Sequence, residues 1–301
     1  MFLDFLQKKT VTLAKRSFEP QYLQSEEHFA FFKDNGYCIY RNIIDEAVIN
    51  RMLEVYKKMA TMEGFKMGEL FVNSGRFESN EIRTLAINEI KRTSGEMLQK
   101  IIIPENCEYN NGGSYQIKPA SKTSQLNPHQ DTPIVDELNF YSIYAWIPLC
   151  DVNEQNGTLS VLPKSHLWGN YQRSLNVPWI YEKYTNKLWK LMQPLNINKG
   201  DLICFDSALI QASGPNLSNE IRVAYNTAIL PKNFQQVHYY MDKDTPKNKV
   251  EEYLIDETFY MNENIMQKPP DKFPVRSVQN WMGAKGISPS EFNSLVKASL
   301  G

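Results

Sequence analysis

YSIYAWIPLCDVNEQNGTLSVLP, residues 141–163, holds two apolar runs, YSIYAWIPL and GTLSVLP, with polar turn residues between them. Their aromatic and β-branched residues read as short strands. Working outward, runs of the same kind recur. GSYQIK lies before this stretch, and PLNINKG, DLICFD and VAYNTAIL follow it, each bounded by turn residues. Short strands at this spacing predict an antiparallel jelly roll or barrel.

The chain before Gly112 has a different character. Ser25 reads as the N-cap of a helix, EEHFAFFKDN, that Asn35-Gly36 stops. YCIYRNI reads as a strand. Asp45 opens a second helix, EAVINRMLEVYKKMA, with Val48, Met52, Val55 and Met59 on one stripe. Residues 62–82 read as a polar loop, and a third helix is expected from about Leu85 to Ile101. The first residues, MFLDFLQKKTVTLAKRSF, are broken by Asp4, Lys8, Lys9 and Lys15. They read as a docked or frayed terminal helix, because a secretory signal wants a continuous apolar stretch. Residues 232–301 are polar and Lys-rich, yet carry Tyr239, Tyr240, Tyr253, Phe259, Tyr260 and Trp281. That is too aromatic for a disordered tail, and a lid or a packing extension is expected. The expected organisation is one domain over 1–301. Its parts are a mainly helical portion (1–111), a jelly-roll core (112–231) and a C-terminal extension (232–301). The fold class is mostly β, in the α+β sense, with the helices packed on one side.

At 301 residues, 42 % of them hydrophobic, the chain can bury a sizeable core. A net charge of −1 gives no reason to expect nucleic acid or an anionic membrane as partner. No apolar run approaches the roughly 18 to 20 residues of a membrane span. Cys38, Cys107, Cys150 and Cys204 are far apart and read as reduced core thiols. A cytoplasmic protein is the expectation. No P-loop, G-x-G-x-x-G, C-x-x-C or G-x-S-x-G pattern occurs.

Only four histidines are present: His28, His129, His166 and His238. His129 stands two residues from Asp131 in NPHQDTP. In an extended segment, i and i+2 project to the same face, so an imidazole and a carboxylate can share one ion. His-x-Asp with a distant third ligand is the facial arrangement of non-haem Fe(II) oxygenases. Alone it is a weak signal, and a turn with a capping aspartate is the plainer reading.

Four longer blocks frame that pair: HFAFFKDNGYCIYRNIIDEAVINRML, IKPASKTSQLNPHQD, YAWIPLCDVNEQNGTLSVLPKSHLWG and GDLICFDSALIQASGPNLSNEIR. Together, in order and spacing from about Phe29 to Arg222, they resemble the phytanoyl-CoA dioxygenase family. The resemblance implies a double-stranded β-helix, cupin-like, and a dioxygenase that uses Fe(II) and 2-oxoglutarate. The substrate expected is a small or carrier-linked organic molecule, oxidised most often by hydroxylation. It implies His129 and Asp131 as iron ligands, Arg222 and Ser213 as cosubstrate-binding residues, and Trp146 as a wall of that pocket. The chemistry agrees: a guanidinium fork can hold a distal carboxylate bidentately, and a hydroxyl can assist.

The family's third ligand is a histidine, where this chain has Gln211. Three readings stay open. Gln211 ligates iron through its amide oxygen, a neutral but harder donor than imidazole. Or the ligand comes from elsewhere, with His238 and Asp206 as candidates. Or the site is vestigial, and the chain binds a ligand or stabilises a partner without catalysis. Asp131 keeps the carboxylate position filled, which argues against halogenation. His166 matches the family's Pro-Gly-Ser-His turn, with Lys164 for the glycine, and reads as structural, near the site's rim. Arg76, Arg83, Lys118 and Lys122 could meet an anionic substrate, though solvated surface is the plainer expectation. The carboxylates of DELNF and EEY also read as solvated surface.

Overall fold

The computed structural model describes residues 16–169, 172–241 and 245–300. The expected terminal helix over the first residues therefore lies largely outside the described residues. The strands in chain order are β1 (Tyr37–Tyr40), β2 (Val72–Asn73), β3 (Cys107–Lys118), β4 (Leu126–His129) and β5 (Ile143–Pro148). Then come β6 (Leu159–Val161), β7 (Gln193–Pro194), β8 (Leu202–Asp206) and β9 (Gln211–Ser213). β10 (Arg222–Pro231), β11 (Gln236–Tyr240), β12 (Lys249–Ile255) and β13 (Val275–Asn280) complete the set. One sheet has the order β1-β8-β5-β10-β3-β2 and a second the order β4-β9-β6-β7, all neighbours antiparallel.

Both faces of the larger sheet are covered, which explains its continuous apolar runs. In β5, Ile143, Ala145 and Ile147 point to the helical side, while Trp146 points toward the smaller sheet. β8 alternates likewise, with Leu202 and Cys204 on one side and Ile203 and Phe205 on the other. Val161 and Leu159 of β6 meet Trp146, Ile203 and Phe205 between the two sheets. This is a jelly roll with helices on one outer face.

The helices α1 (Glu26–Asn35) and α2 (Glu46–Ala60) match the sequence expectation. The Ser25 hydroxyl accepts from His28 N, and Val48, Met52, Val55 and Met59 are buried. α3 runs Asn80–Leu98, starting earlier than the expected Leu85 because Ser79 caps it through Ile82 N. The stretch 62–82 is also not all loop. Val72–Asn73 adds an edge strand to β3, and the buried Ser74 hydroxyl accepts from Tyr115 N at 2.8 Å.

The residues after 231 pack as a sheet β11-β12-β13. The helix α6 (Pro289–Leu300) sets Phe292 and Leu295 against Trp168, Tyr181 and Tyr184. α4 (Thr185–Trp189) and α5 (Phe259–Asn262) are short. Glu252 of the EEY run is 1 % exposed rather than solvated. It accepts bonds from Tyr239, Ser277, Gln279 and Arg276. Among the described residues no helix is long and apolar enough to cross a membrane.

Gly36 closes α1 with φ +82°, its N–H bonded to Phe32 O at 2.7 Å. A Cβ there would lie 2.5 Å from His166 Nδ1 and 2.8 Å from Leu209 Cδ1. His166, buried, donates from Nε2 to Lys33 O at 3.1 Å, so it braces this turn rather than the site's rim. Lys164 takes φ +65°, the left-handed conformation that a glycine would take without strain. Gly36→Ala should lose more than about 1 kcal/mol in urea unfolding, since the left-handed cap and the imidazole contact are both disturbed.

Candidate metal and cosubstrate site

β4 and β9 place His129 directly opposite Gln211. Asp131 follows just past β4, and its Oδ1 stands 3.7 Å from His129 Nε2. His129 Nδ1 is 2.7 Å from Asn127 O. A proton on Nδ1 donated to that carbonyl leaves Nε2 with its lone pair facing Asp131, the tautomer a metal ligand needs. Gln211 Nε2 donates to Asp131 Oδ2 at 2.6 Å. The three head groups thus meet at one point. Among the described residues no three His, Cys, Asp or Glu side chains gather in this way.

The same recess is lined further in by Trp146, Leu159, Ser213 and Arg222. Arg222 is 2 % exposed, and its Nε and Nη1 have no hydrogen-bond partner. Its guanidinium carbon lies 5.4 Å from the Trp146 ring centroid. Trp146 Nε1 donates to Gln116 Oε1 at 2.9 Å, which fixes the indole as a wall. Burial pulls Arg222 down to about 10, so it remains a cation at neutral pH. A buried, half-unpaired guanidinium is costly unless an anion completes it.

Lys118, paired with Arg222 across β3 and β10, is fully buried rather than solvated. Its Nζ donates to Ser124 O at 2.9 Å and Gly214 O at 2.6 Å, tying down the loop beside Ser213. Burial, and then the Arg222 charge, pull it to about 6. Arg83 is also buried and donates to Phe77 O and Glu78 O. Arg76 is exposed and lines a second recess.

Asp131 is held through its backbone. Its N–H donates to Ser207 O at 3.0 Å, and its carbonyl accepts from Arg173 Nε at 2.8 Å. Arg173 forks onto Glu137 at 2.7 and 2.9 Å, and Ser207 Oγ donates to the same carboxylate. Glu137 belongs to the DELNF run, so this carboxylate too is buried, not solvated. Burial opposes its charge, but Arg173, Arg16 and the hydrogen bonds prevail and hold its carboxyl below the usual range. Sequence reasoning took Glu137 for solvated surface and passed over Arg173 and Gln116. Their partners lie tens of residues away, and no local signal brings them together.

The displaced-ligand candidates sit elsewhere. Asp206 is bonded to Arg16 at 2.6 Å and to Ala208 N. His238 lines the second recess, which Asp131 also borders, together with Tyr144, Asn226 and Tyr260. His28 stacks on Tyr40 with centroids 4.0 Å apart.

Fold and site together define a cupin-like jelly roll with a His-x-Asp pair at the mouth of an anion-seeking recess. Residues 32–224 match the family described as phytanoyl-CoA dioxygenase (PhyH), and the chain belongs to that family. The peroxisomal phytanoyl-CoA dioxygenase of Homo sapiens is 22 % identical over 283 residues, 81 % of each chain. That of Bos taurus is 21 % identical over 278 residues, 80 % of each. EctD from S. alaskensis, solved with 2-oxoglutarate and 5-hydroxyectoine, superposes with a TM-score of 0.53 at 15 % identity. The match covers 80 % of this chain and 91 % of EctD. HygX from Streptomyces hygroscopicus, solved with nickel and 2-oxoglutarate, gives 0.50 at 13 % identity, covering 70 % of this chain and 88 % of HygX. These structures share the fold.

Glu137→Ala should cost about 3–5 kcal/mol in denaturant unfolding, because it removes the carboxylate onto which the buried Arg173 guanidinium forks. Acid should also destabilise the chain. Burial lowers His166 to about 3 and His238 to about 4. Between those values and the ordinary 6.5, the unfolded chain binds protons that the folded one does not. Stability is therefore full above about pH 6.5 and falls as pH drops toward 4, with a slope approaching two protons. Urea unfolding across that range measures it.

Proposed function

We propose that the chain is an Fe(II)- and 2-oxoglutarate-dependent dioxygenase that oxidises a small or carrier-linked organic substrate, with Gln211 in the place of the third histidine. The observation that carries this reading is the arrangement of one recess. His129, Asp131 and Gln211 line it together with Arg222, whose buried Nε and Nη1 have no hydrogen-bond partner. Fe(II) bound with 2-oxoglutarate supplies the activation of O2 needed to oxidise an unactivated carbon.

In this reading His129 contributes Nε2, freed by the Asn127 contact, and Asp131 contributes the anionic donor. Gln211 would hold the ion through Oε1, because a 180° turn of its amide exchanges two isosteric ends. The site keeps two neutral donors and one carboxylate. Arg222 and Ser213 take the distal carboxylate of the cosubstrate, and Trp146 with Leu159 keeps water from it. We read residues 1–301 as one oxygenase unit, with the segment after 231 walling the substrate recess. Its four unpaired cysteines support a reducing compartment, the cytoplasm.

The Gln211–Asp131 hydrogen bond favours a second reading, a non-catalytic chain that binds a ligand or supports a partner. A carboxylate already satisfied by an amide has less need of a cation.

Anaerobic titration with Fe(II) and 2-oxoglutarate, following the visible band of the chelate, separates the two. The native chain should take up iron, Gln211→Ala should bind it more weakly, and Gln211→His more tightly. Asp131→Ala should abolish uptake. Equal affinity in the native chain and Gln211→Ala would remove the ligand role. Uptake only after Gln211→His would favour the non-catalytic reading. Arg222→Ala should lose on the order of 2–5 kcal/mol of 2-oxoglutarate affinity by calorimetry.

A further inference from the structure

The second recess is walled in part by Ile134, Tyr144, Ala228 and Ile265, and its cavity measures about 180 Å3. A cavity of roughly 150 Å3 takes a benzene-sized ring, so this one suits a small molecule. Several of its polar side chains are satisfied within the protein. Ser114 Oγ donates to Asn226 Oδ1 at 2.8 Å, and Gln116 accepts from Trp146. Two others are not. His238 is 1 % exposed, and neither ring nitrogen has a partner. Tyr260 presents a buried hydroxyl that also lacks one. Their rings are 6.4 Å apart, on the same cavity.

Folded interiors rarely leave such groups unbonded, and each one left so is a standing cost. A ligand that bonds them removes that cost. Burial keeps His238 neutral at physiological pH. A neutral imidazole and a phenol then offer donors and acceptors without charge. They match an oxygen that is itself uncharged. Arg76, the cation on the same recess, is exposed and already faces the Asp131 charge, so a carboxylate or phosphate would have to compete with Asp131 for it.

We propose that His238 and Tyr260 bind a hydroxyl or carbonyl oxygen of a largely apolar small-molecule substrate in the cavity beside Asp131, and so select the substrate class. Calling that molecule a substrate rests on the oxygenase reading; the binding itself does not. Both residues lie beyond the family-matched stretch 32–224, so this recognition belongs to the chain's own C-terminal part.

The full chain, metal-free, is titrated with cyclohexanol, cyclohexanone, methylcyclohexane and cyclohexanecarboxylate. Affinity is read by ligand-observed NMR, and the His238 ring by its nitrogen and proton shifts. The alcohol and ketone should bind at least about tenfold more tightly than the hydrocarbon and the carboxylate, and should move the His238 ring signals. His238→Phe and Tyr260→Phe should each lose most of that preference, and should melt no lower than the native chain, because an unbonded polar atom is gone. Equal binding of methylcyclohexane, tighter binding of the carboxylate, or no binding of alcohol and ketone would overturn the proposal. So would variants that melt lower while keeping the preference, which is the mark of a structural role. 2-Oxoglutarate affinity is measured beside these. If it is intact and the probes show no preference, only this inference fails. If the native chain does not bind 2-oxoglutarate, the oxygenase reading fails on its own.

Discussion

Asp131 is positioned by its main chain, and one buried carboxylate controls both bonds that do so. Glu137 locks Arg173, whose Nε reaches the Asp131 carbonyl, and it accepts from Ser207, whose carbonyl takes the Asp131 N–H. Arg16 and Asp206 extend the same network. Buried ion pairs contribute little net stability compared with apolar packing, because desolvation offsets attraction. Their use here is geometric. A forked guanidinium fixed at both ends has few alternative positions, so the Asp131 side chain emerges at a defined place. The β4–β9 ladder then sets His129 against Gln211 independently of that network. Two unrelated constraints meet at one point, which is what a rigid polar site requires.

The sequence made legible whatever depended on local pattern. Strand runs with both faces covered, the Ser25 cap, the Gly36 stop and the α2 stripe all stand where periodicity and turn chemistry put them. His129, Asp131, Ser213 and Arg222 were legible because motif spacing survives in the chain, and they line one recess. Illegible were the charges whose partners are remote. Glu137, Glu252 and Lys118 all resemble surface residues in their own neighbourhoods, yet each is buried against groups from other elements. A charge is buried only when a distant partner and a dry surround arrive together. Lys164 shows the converse, a motif letter changed while the backbone conformation it served is kept.

Gln211 occupies its position differently from an imidazole. An amide has two ends of equal size and opposite polarity. With its N–H toward Asp131 it satisfies one carboxylate oxygen by a 2.6 Å hydrogen bond. With its oxygen turned inward it becomes a donor to a cation. One rotation therefore separates a self-satisfied site from a liganding one. In the oxygenase reading a cation would have to displace that bond first, which would lower its affinity while leaving the His129–Asp131–Gln211 arrangement in place.

Both recesses border Asp131, and their unbonded polar atoms differ in kind. Inside the first, Arg222 is a cation without a full set of acceptors, at the end of a wall made by Trp146 and Leu159. Inside the second, His238 and Tyr260 are neutral and unbonded within a partly apolar surround. Protein interiors satisfy nearly all of their polar groups, so those left open describe what the fold does not supply itself. A buried cation calls for an anion and a neutral pair calls for a neutral oxygen. A neutral ligand in the first recess would leave the Arg222 charge unpaired, and an anion in the second would have to compete with Asp131 for Arg76. Asp131 lines both recesses, so an ion held there, in the oxygenase reading, would border both ligands.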